Sequence, residues 1–134
     1  MAVVLDSDAV IGFLDRGDAL HDSADATIRR LIAEHSLLVS VVTYAEVLTG
    51  ARLGRHDESH VRGFFRQLIS AVLPIDLPIA DRAADLRAGL RSLRMPDALI
   101  LATAEITPDV DLIVTGDATA SKVPELRCPV ELLV

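Results

Sequence analysis

Four acidic residues stand where carboxylates could act together in one reaction. Asp6 follows the apolar run Val-Val-Leu, and Asp117 follows Leu-Ile-Val-Thr-Gly. Asp97 comes directly after Met-Pro and opens a very apolar stretch, while Glu46 lies shortly after the run Leu-Leu-Val-Ser-Val-Val. Carboxylates held close together repel one another, and a divalent cation relieves that repulsion. Hard oxygen ligands suit Mg²⁺ or Mn²⁺, and such ions activate water for the hydrolysis of phosphodiesters.

Each of these acids also has a purely structural explanation. Asp6 could cap a helix, and Asp97 could stabilise a helix N-terminus through the helix dipole. Asp117 could belong to a Gly-Asp turn, and Glu46 could lie on the solvated side of its helix. Four separate structural roles are a less economical explanation for four acids at equivalent ends of α/β elements. We therefore expect these acids to converge on one metal site.

The other reactive residues form no rival constellation. The single cysteine, Cys128, excludes a disulfide framework and a cysteine-based zinc site. The four histidines show no metal-ligand spacing, and no Ser-His-Asp or Cys-His grouping is present.

Short apolar runs alternate with helical stretches along the chain, and they must position the acids. We predict strands at residues 2–5, 37–42, 72–75 and 111–115, with 130–134 as a candidate fifth. Strands separated by helices favour an α/β fold with a mainly parallel sheet of four to five strands. Functional sites of such sheets form beyond the carboxyl ends of the strands.

Helices are predicted from apolar periodicity and from capping residues. We expect them at residues 8–14, 22–34 (capped by Asp22 or Ser23), 43–53, 57–71 and 78–93. The stretch 97–105 is apolar on nearly every side, which predicts a centrally buried helix.

Composition and charge set the broad class. The 134 residues are 51% hydrophobic, and they carry 20 acidic and 13 basic side chains for a net charge of −7. A general nucleic-acid coat is excluded, because such proteins are usually basic. We predict one domain over 1–134, because no linker or low-complexity run divides the chain. We expect it in the cytoplasm, because the N-terminus lacks the basic region of a secretory signal and no apolar run approaches the roughly 20 residues of a membrane helix.

The ordered motifs resemble the PIN-domain nucleases, and among them the VapC-type toxins of bacterial toxin–antitoxin pairs. The resemblance rests on VVLDSDAVI, SVVTYAEVLTGA, MPDALILATA and LIVTGD, which follow one another across nearly the whole chain. It implies a single three-layer PIN-like nuclease domain and a ribonuclease that depends on Mg²⁺ or Mn²⁺.

The resemblance also implies roles for individual residues. Asp6, Glu46, Asp97 and Asp117 match the acidic quartet of the family, with Asp6, Asp97 and Asp117 as metal ligands. Thr115 matches a hydroxyl residue that often lines the site. Ser7 and Thr43 are candidates for supporting hydrogen bonds, with helix capping as their alternative role.

The last motif departs from the family pattern. Many members carry Thr-x-Asn-x-x-Asp after the final strand, whereas this chain has Asp117 at the Asn position and Ala120 at the second acid position. The fourth acid of the site therefore depends on Asp117 alone.

Binding partners follow from the same resemblance. A toxin of this type acts on RNA and is held inactive by a cognate VapB-type antitoxin, and a homodimer is typical. Because RNA must approach an acidic pocket, we consider Arg52, Arg55 and Arg94 as candidate phosphate contacts. Solvated helix ends are the alternative explanation for all three.

Two other functions compete with the nuclease. The Asp-x-Asp of LDSD also resembles a haloacid-dehalogenase-like phosphatase, with Asp6 as nucleophile and Asp8 as acid/base. That reading leaves Glu46 and Asp97 unexplained, and Lys122 follows both motifs instead of lying between them. From sequence, Asp8→Ala should abolish a phosphatase and leave most of a nuclease's turnover. A non-catalytic PIN-like interaction module is the other alternative, and it would not require the four acids.

Overall fold

Five strands and six α-helices alternate along the chain in the computed structural model, which describes residues 1–134. The strands are β1 (Ala2–Leu5), β2 (Ser36–Ser40), β3 (Ala71–Leu73), β4 (Val110–Thr115) and β5 (Val130–Leu132). The helices are α1 (Ser7–Leu14), α2 (His21–Ile32), α3 (Val41–Arg52), α4 (Glu58–Leu68), α5 (Leu77–Gly89) and α6 (Met95–Ile106). A short 3₁₀ helix, Ala118–Lys122, joins β4 to the last strand.

The strands form one parallel sheet in the order β3-β2-β1-β4-β5. This arrangement confirms the predicted α/β fold with a parallel sheet flanked by helices. The chain builds β2 and β3 on one side of β1 and then crosses to build β4 and β5 on the other side. The order therefore reverses between β1 and β4, and crevices form at such a switch point in open parallel sheets.

Two apolar cores cover the two faces of the sheet. Successive side chains of a strand point to opposite faces, so Ala2 and Val4 pack in one core while Val3 and Leu5 pack in the other. Helices α5 and α6 complete the first core, and α1 to α4 complete the second. Strand β1 is consequently buried along its whole length, which explains its uninterrupted apolar sequence.

Helix α6 is the buried helix that the stretch 97–105 predicts. Six of its twelve residues are buried, which exceeds the single apolar stripe of a surface helix. No helix in the structure combines the length and apolar character needed to span a membrane.

We expect Ile100→Ala to lower the free energy of unfolding by about 2–5 kcal/mol, because it leaves a cavity in a packed core. Ile100 is fully buried, whereas Ile106 on the same helix is 40% exposed. Ile106→Ala is therefore the matched control and should cost under about 1 kcal/mol. Urea unfolding of both variants measures the difference, and equal losses would contradict the central burial of α6.

Several predicted element boundaries are wrong. Strand β2 ends at Ser40 instead of Val42, because the Ser40 hydroxyl accepts the N–H of Val42 and caps α3. Helix α3 therefore begins at Val41, two residues before the predicted start, despite the β-branched residues there. The 3₁₀ helix was not predicted from sequence.

The N-terminus of α2 also differs from the prediction. Neither Asp22 nor Ser23 is its N-cap; that position belongs to Leu20, which makes no side-chain capping bond. Asp22 lies instead in the first turn, where a negative charge interacts favourably with the helix dipole. The helix ends at Ile32 instead of residue 34, and the side chain of Ile32 is exposed.

The far end of α6 is tied to the segment before β5 by a cluster around Glu105. One carboxylate oxygen of Glu105 accepts the backbone N–H of Arg127 at 2.9 Å, and the other accepts the N–H of Cys128 at 2.9 Å. Arg82 adds an ion pair at 3.1 Å. The Arg127 guanidinium also donates to the carbonyls of Ala104 and Glu105, which satisfies the free end of α6.

Candidate active site

Three predicted acids follow strands at the same edge of the sheet. Asp6 is the residue directly after β1, and Glu46 lies in α3, the helix that follows β2. Asp117 is the second residue after β4. All strands are parallel, so their carboxyl ends meet at one edge. Asp6 and Asp117 flank the point between β1 and β4 where the strand order reverses. Asp97 reaches the same edge from the first turn of α6.

The four acids surround a single cavity of about 270 Å³. The residues that line it come from three helices, the N-cap of α6 and the segments after two strands: Asp6, Ser7, Asp8, Ile11, Glu46, Arg94, Asp97 and Asp117. The structure thus brings together five carboxylates with one arginine. The four acids singled out from sequence therefore line one cavity, although no three of their side chains converge on a common point.

Asp6 is the most buried of these carboxylates, at 7% exposure. Its Oδ1 accepts the N–H of Ser7 at 2.7 Å, which caps α1, and its Oδ2 accepts the Thr115 hydroxyl at 2.7 Å. Burial, with a smaller contribution from the nearby Asp8 carboxylate, raises the pKa of Asp6 from 3.8 to about 7. The fold therefore holds this carboxyl where its charge is costly without a cation.

Thr115 links the acids of β1 and β4. Its hydroxyl donates to Asp6 and at the same time accepts the N–H of Asp117 at 3.0 Å. The carboxylate of Asp117 accepts the N–H of Thr119 at 2.9 Å and so caps the 3₁₀ helix. At Asp6 the structure therefore shows both the capping role and the place in the cavity, which are alternatives from sequence. Asp117, for which the sequence alternative is a turn residue, lines the cavity and also caps the 3₁₀ helix.

Ser7 lies between Glu46 and Thr43 and contacts both. The Ser7 hydroxyl donates to Oε1 of Glu46 at 2.6 Å, and its oxygen is 3.2 Å from the hydroxyl of Thr43, which is fully buried. The second oxygen of Glu46 makes no hydrogen bond within the chain, so one carboxylate oxygen remains available to a ligand or water. Ser7 thus contacts Glu46 directly, whereas the Thr43 hydroxyl contacts Ser7 alone.

Of the three arginines considered as phosphate contacts, Arg94 alone lines the acidic cavity. Its Nε donates to Asp97 at 3.2 Å, and the exposed side chain leaves both Nη groups available. Arg52 pairs instead with Glu58 at 2.8 Å in a separate apolar groove that includes Tyr44 and Leu48. Arg55 is exposed and does not line the acidic cavity.

Asp8 also lines the cavity, although it is not one of the four acids predicted from sequence to form the site. Its Oδ1 accepts the N–H of Gly116 at 2.9 Å. Burial raises the pKa of Asp8 above 3.8, although the N–H groups of Gly116 and Ala9 partly offset that effect. The spacing Asp-x-Asp at the start of α1 is the sequence signal that could have placed it here.

The donor set of the cavity fits a hard divalent cation. The four acids predicted from sequence line the cavity together with one arginine, and Mg²⁺ and Mn²⁺ prefer oxygen ligands of this kind. No three acidic, histidine or cysteine side chains converge on one point as placed. Mg²⁺ usually keeps several waters and binds proteins through one or two carboxylates, so such an ion does not require three converging side chains. The carboxylate lining is thus compatible with a partly hydrated ion.

The fold and the cavity define an α/β protein with a carboxylate site at the switch point of a parallel sheet. The family model of the PIN domain matches residues 3–126, which is nearly the whole chain. The chain belongs to the PIN-domain family. No curated protein matches it at a significant level of sequence similarity.

Solved structures of similar fold agree with this assignment. VapBC2 from Rickettsia felis, bound to a promoter DNA fragment, aligns with a TM-score of 0.78 and 16% identity over 100% of both chains. A toxin–antitoxin complex from Klebsiella pneumoniae aligns with a TM-score of 0.73 and 24% identity, covering 92% of this chain and 93% of the other. VapC20 of Mycobacterium tuberculosis, a sarcin–ricin loop cleaving toxin, aligns at 0.70 with 14% identity, covering 94% and 98%.

Proposed function

We propose that this chain is a metal-dependent endoribonuclease and the VapC-type toxin of a type II toxin–antitoxin pair. The observation that carries the proposal is the cavity in which Asp6, Glu46, Asp97 and Asp117 meet at the switch point of a PIN-family sheet. Similar folds in toxin–antitoxin complexes and in a toxin that cleaves the sarcin–ricin loop support it.

Asp6, Asp97 and Asp117 would hold Mg²⁺ or Mn²⁺. A bound ion of this kind lowers the pKa of water and stabilises negative charge on a phosphate during hydrolysis. The buried Asp6 and the capping Asp117 are held by fixed backbone and hydroxyl donors, so they need little reorganisation to accept a ligand.

Other side chains of the cavity would act on water and on the phosphate. Glu46 is fixed through one oxygen by Ser7, and its other oxygen can accept a proton from an attacking water or orient it. Asp117 is the alternative for that role. Arg94 at the cavity mouth offers its Nη groups to a phosphate oxygen of RNA.

The partners belong to the same proposal. A VapB-type antitoxin would bind the chain and block the acidic cavity, and the active form would be a homodimer in the cytoplasm. The structures of VapBC2 and of the Klebsiella pneumoniae complex, which have similar folds, support an antitoxin partner.

The phosphatase alternative has less support. Asp6 and Asp8 do line one cavity, but Glu46 and Asp97 line it too, and a mechanism based on the Asp-x-Asp pair gives them no role. A binding-only module gives the same four carboxylates no role, and it does not account for the costly burial of the Asp6 carboxylate.

The test is cleavage of total RNA by the purified chain, with the new ends mapped by sequencing. We expect cleavage with Mg²⁺ or Mn²⁺, none after chelation by EDTA, and a loss of at least about 10²-fold in Asp97→Asn, which removes a metal ligand. Asp81→Asn makes the same change on the exposed side of α5 and is the control. Undiminished cleavage by Asp97→Asn, or none by the wild type under any metal condition, would refute the proposal.

A further inference from the structure

Asp8 connects two elements that are far apart in sequence. It lies in the first turn of α1, and its Oδ1 accepts the N–H of Gly116, which is 108 residues further along in the turn after β4. That turn, Thr115-Gly116-Asp117, carries one of the proposed metal ligands. The hydrogen bond from Gly116 joins its backbone directly to α1.

The turn is shaped around the Asp8 carboxylate. A Cβ atom on residue 116 would lie 3.2 Å from Oδ2 of Asp8 and would overlap a methyl group of Leu20. Glycine therefore lets the backbone approach the carboxylate closely, which places the Gly116 N–H at 2.9 Å from Oδ1. The close approach and the hydrogen bond depend on each other.

No second acid stabilises the turn from its other side. Ala120, at the position where many family members carry that acid, is 4% exposed and packs in the apolar core with Val123 and Cys128. The polar contacts of the turn with the cavity come from the α1 side, where Asp6 accepts the Thr115 hydroxyl and Asp8 accepts the Gly116 N–H.

We infer that Asp8 is a positioning residue of the proposed nuclease: it holds the Gly116 turn so that Asp117 and Thr115 face Asp6. The role rests on the proposed function and requires an acceptor oxygen at this point, not a negative charge. From sequence alone, a nuclease is expected to keep most of its turnover in Asp8→Ala. The contacts of Asp8 lead to the opposite expectation.

Two variants of Asp8 separate the acceptor from the charge. Asparagine keeps an acceptor oxygen in the same place, whereas alanine removes it. We expect Asp8→Ala to lower kcat for RNA cleavage by about 10–100-fold with KM within about threefold, as for other residues that orient metal ligands. Asp8→Asn should keep kcat within about threefold of the wild type.

Hydrogen exchange of the Gly116 amide, followed by NMR, reports on the contact without activity. We expect this amide to stay protected in the wild type and in Asp8→Asn and to exchange faster in Asp8→Ala. Asp15→Ala is the control, because Asp15 also accepts a backbone N–H, from Gly17 at 2.9 Å, but does not line the cavity. It should leave kcat and Gly116 exchange unchanged.

Each other outcome would overturn the inference. Equal loss of kcat in Asp8→Asn and Asp8→Ala would show that the charge is needed, and unchanged kcat and exchange in both would show that Asp8 holds nothing. Absence of RNA cleavage by the wild type would refute the proposed function instead. The exchange of Gly116 would then still decide whether Asp8 holds the turn.

Discussion

Replacing Asp6 by asparagine should abolish cleavage and yet stabilise the metal-free protein. The variant keeps the size of the side chain and an acceptor for the Ser7 N–H, but it loses the charge that would bind the cation. We expect RNA cleavage to fall at least about 10³-fold, because loss of a metal ligand removes several kcal/mol of transition-state stabilisation. Single-turnover cleavage at saturating Mg²⁺ measures the loss.

The stability change follows from the raised pKa of Asp6. Burial makes the ionised carboxylate unfavourable in the folded protein, so the cost begins above pH 3.8 and is complete above about pH 7. Asparagine carries no charge and avoids that cost. At pH 8 with EDTA, urea unfolding should show a gain of about 1–3 kcal/mol, which is less than the full pKa shift because the Thr115 hydroxyl loses its acceptor.

Asp76→Asn provides the control for both measurements. Asp76 also caps a helix, α5, and its carboxylate accepts the N–H of Ile79 at 3.0 Å, but it lies outside the cavity. This variant should keep full cleavage and show no gain in stability. If Asp6→Asn were as active as Asp76→Asn, Asp6 would not be a ligand; if it were less stable than the wild type, burial would not be the main cost at Asp6.

Glu105→Gln should lower the free energy of unfolding by about 2 kcal/mol at pH 7, because the neutral amide loses the charge-assisted hydrogen bonds of the carboxylate. The side chain of Glu105 is 4% exposed and faces three donors: two backbone N–H groups and the Arg82 guanidinium. A glutamine amide has one acceptor oxygen instead of two, so it leaves a buried donor unpaired.

The difference between wild type and Glu105→Gln should depend on pH. Burial by itself would raise the pKa of Glu105, but the N–H groups of Arg127 and Cys128 and the Arg82 guanidinium outweigh burial and lower it below 4.5. A lowered pKa stabilises the folded protein above pH 4.5, and that stabilisation is lost as the pH falls through the folded-state pKa. The gap between the two proteins should therefore narrow in acid.

Urea unfolding at a series of pH values from 7 down to 3 measures this gap. The control is Glu125→Gln, since the side chain of Glu125 is exposed and makes no hydrogen bond. It should change the free energy of unfolding by under about 0.5 kcal/mol at pH 7. A constant gap between wild type and Glu105→Gln at every pH would mean that packing, and not ionisation, accounts for the loss.

The acids of the site could be found from sequence because strand ends have a strong local signal. Asp6 interrupts a wholly apolar run, and the parallel topology that follows from alternating strands and helices brings such strand ends to one edge. The uninterrupted apolar sequence of β1 likewise indicates a strand that is covered on both faces of the sheet. These features depend on residue type and on the spacing of apolar residues, both of which can be seen directly in the sequence.

Other features depend on distances across the fold. Arg52, Arg55 and Arg94 all lie near predicted motifs. Only Arg94 lines the cavity, whereas Arg52 lies outside it and forms a surface ion pair with Glu58. The end of β2 was misplaced because a single capping hydrogen bond at Ser40 outweighs the β propensity of Val41 and Val42. Such choices involve about 1 kcal/mol, which composition alone does not resolve.

Sequence by itself indicated the fold class, the order of the strands and α-helices, and four acids that line one cavity. Only the tertiary structure decided that Asp8 shares the cavity, because its partner Gly116 lies 108 residues away and no local pattern couples them. The same is true of the raised pKa of Asp6, which comes from burial at the centre of the sheet and from a neighbouring carboxylate. Residue types specify what a side chain can do, whereas its burial and its long-range partners, which only folding supplies, specify what it does here.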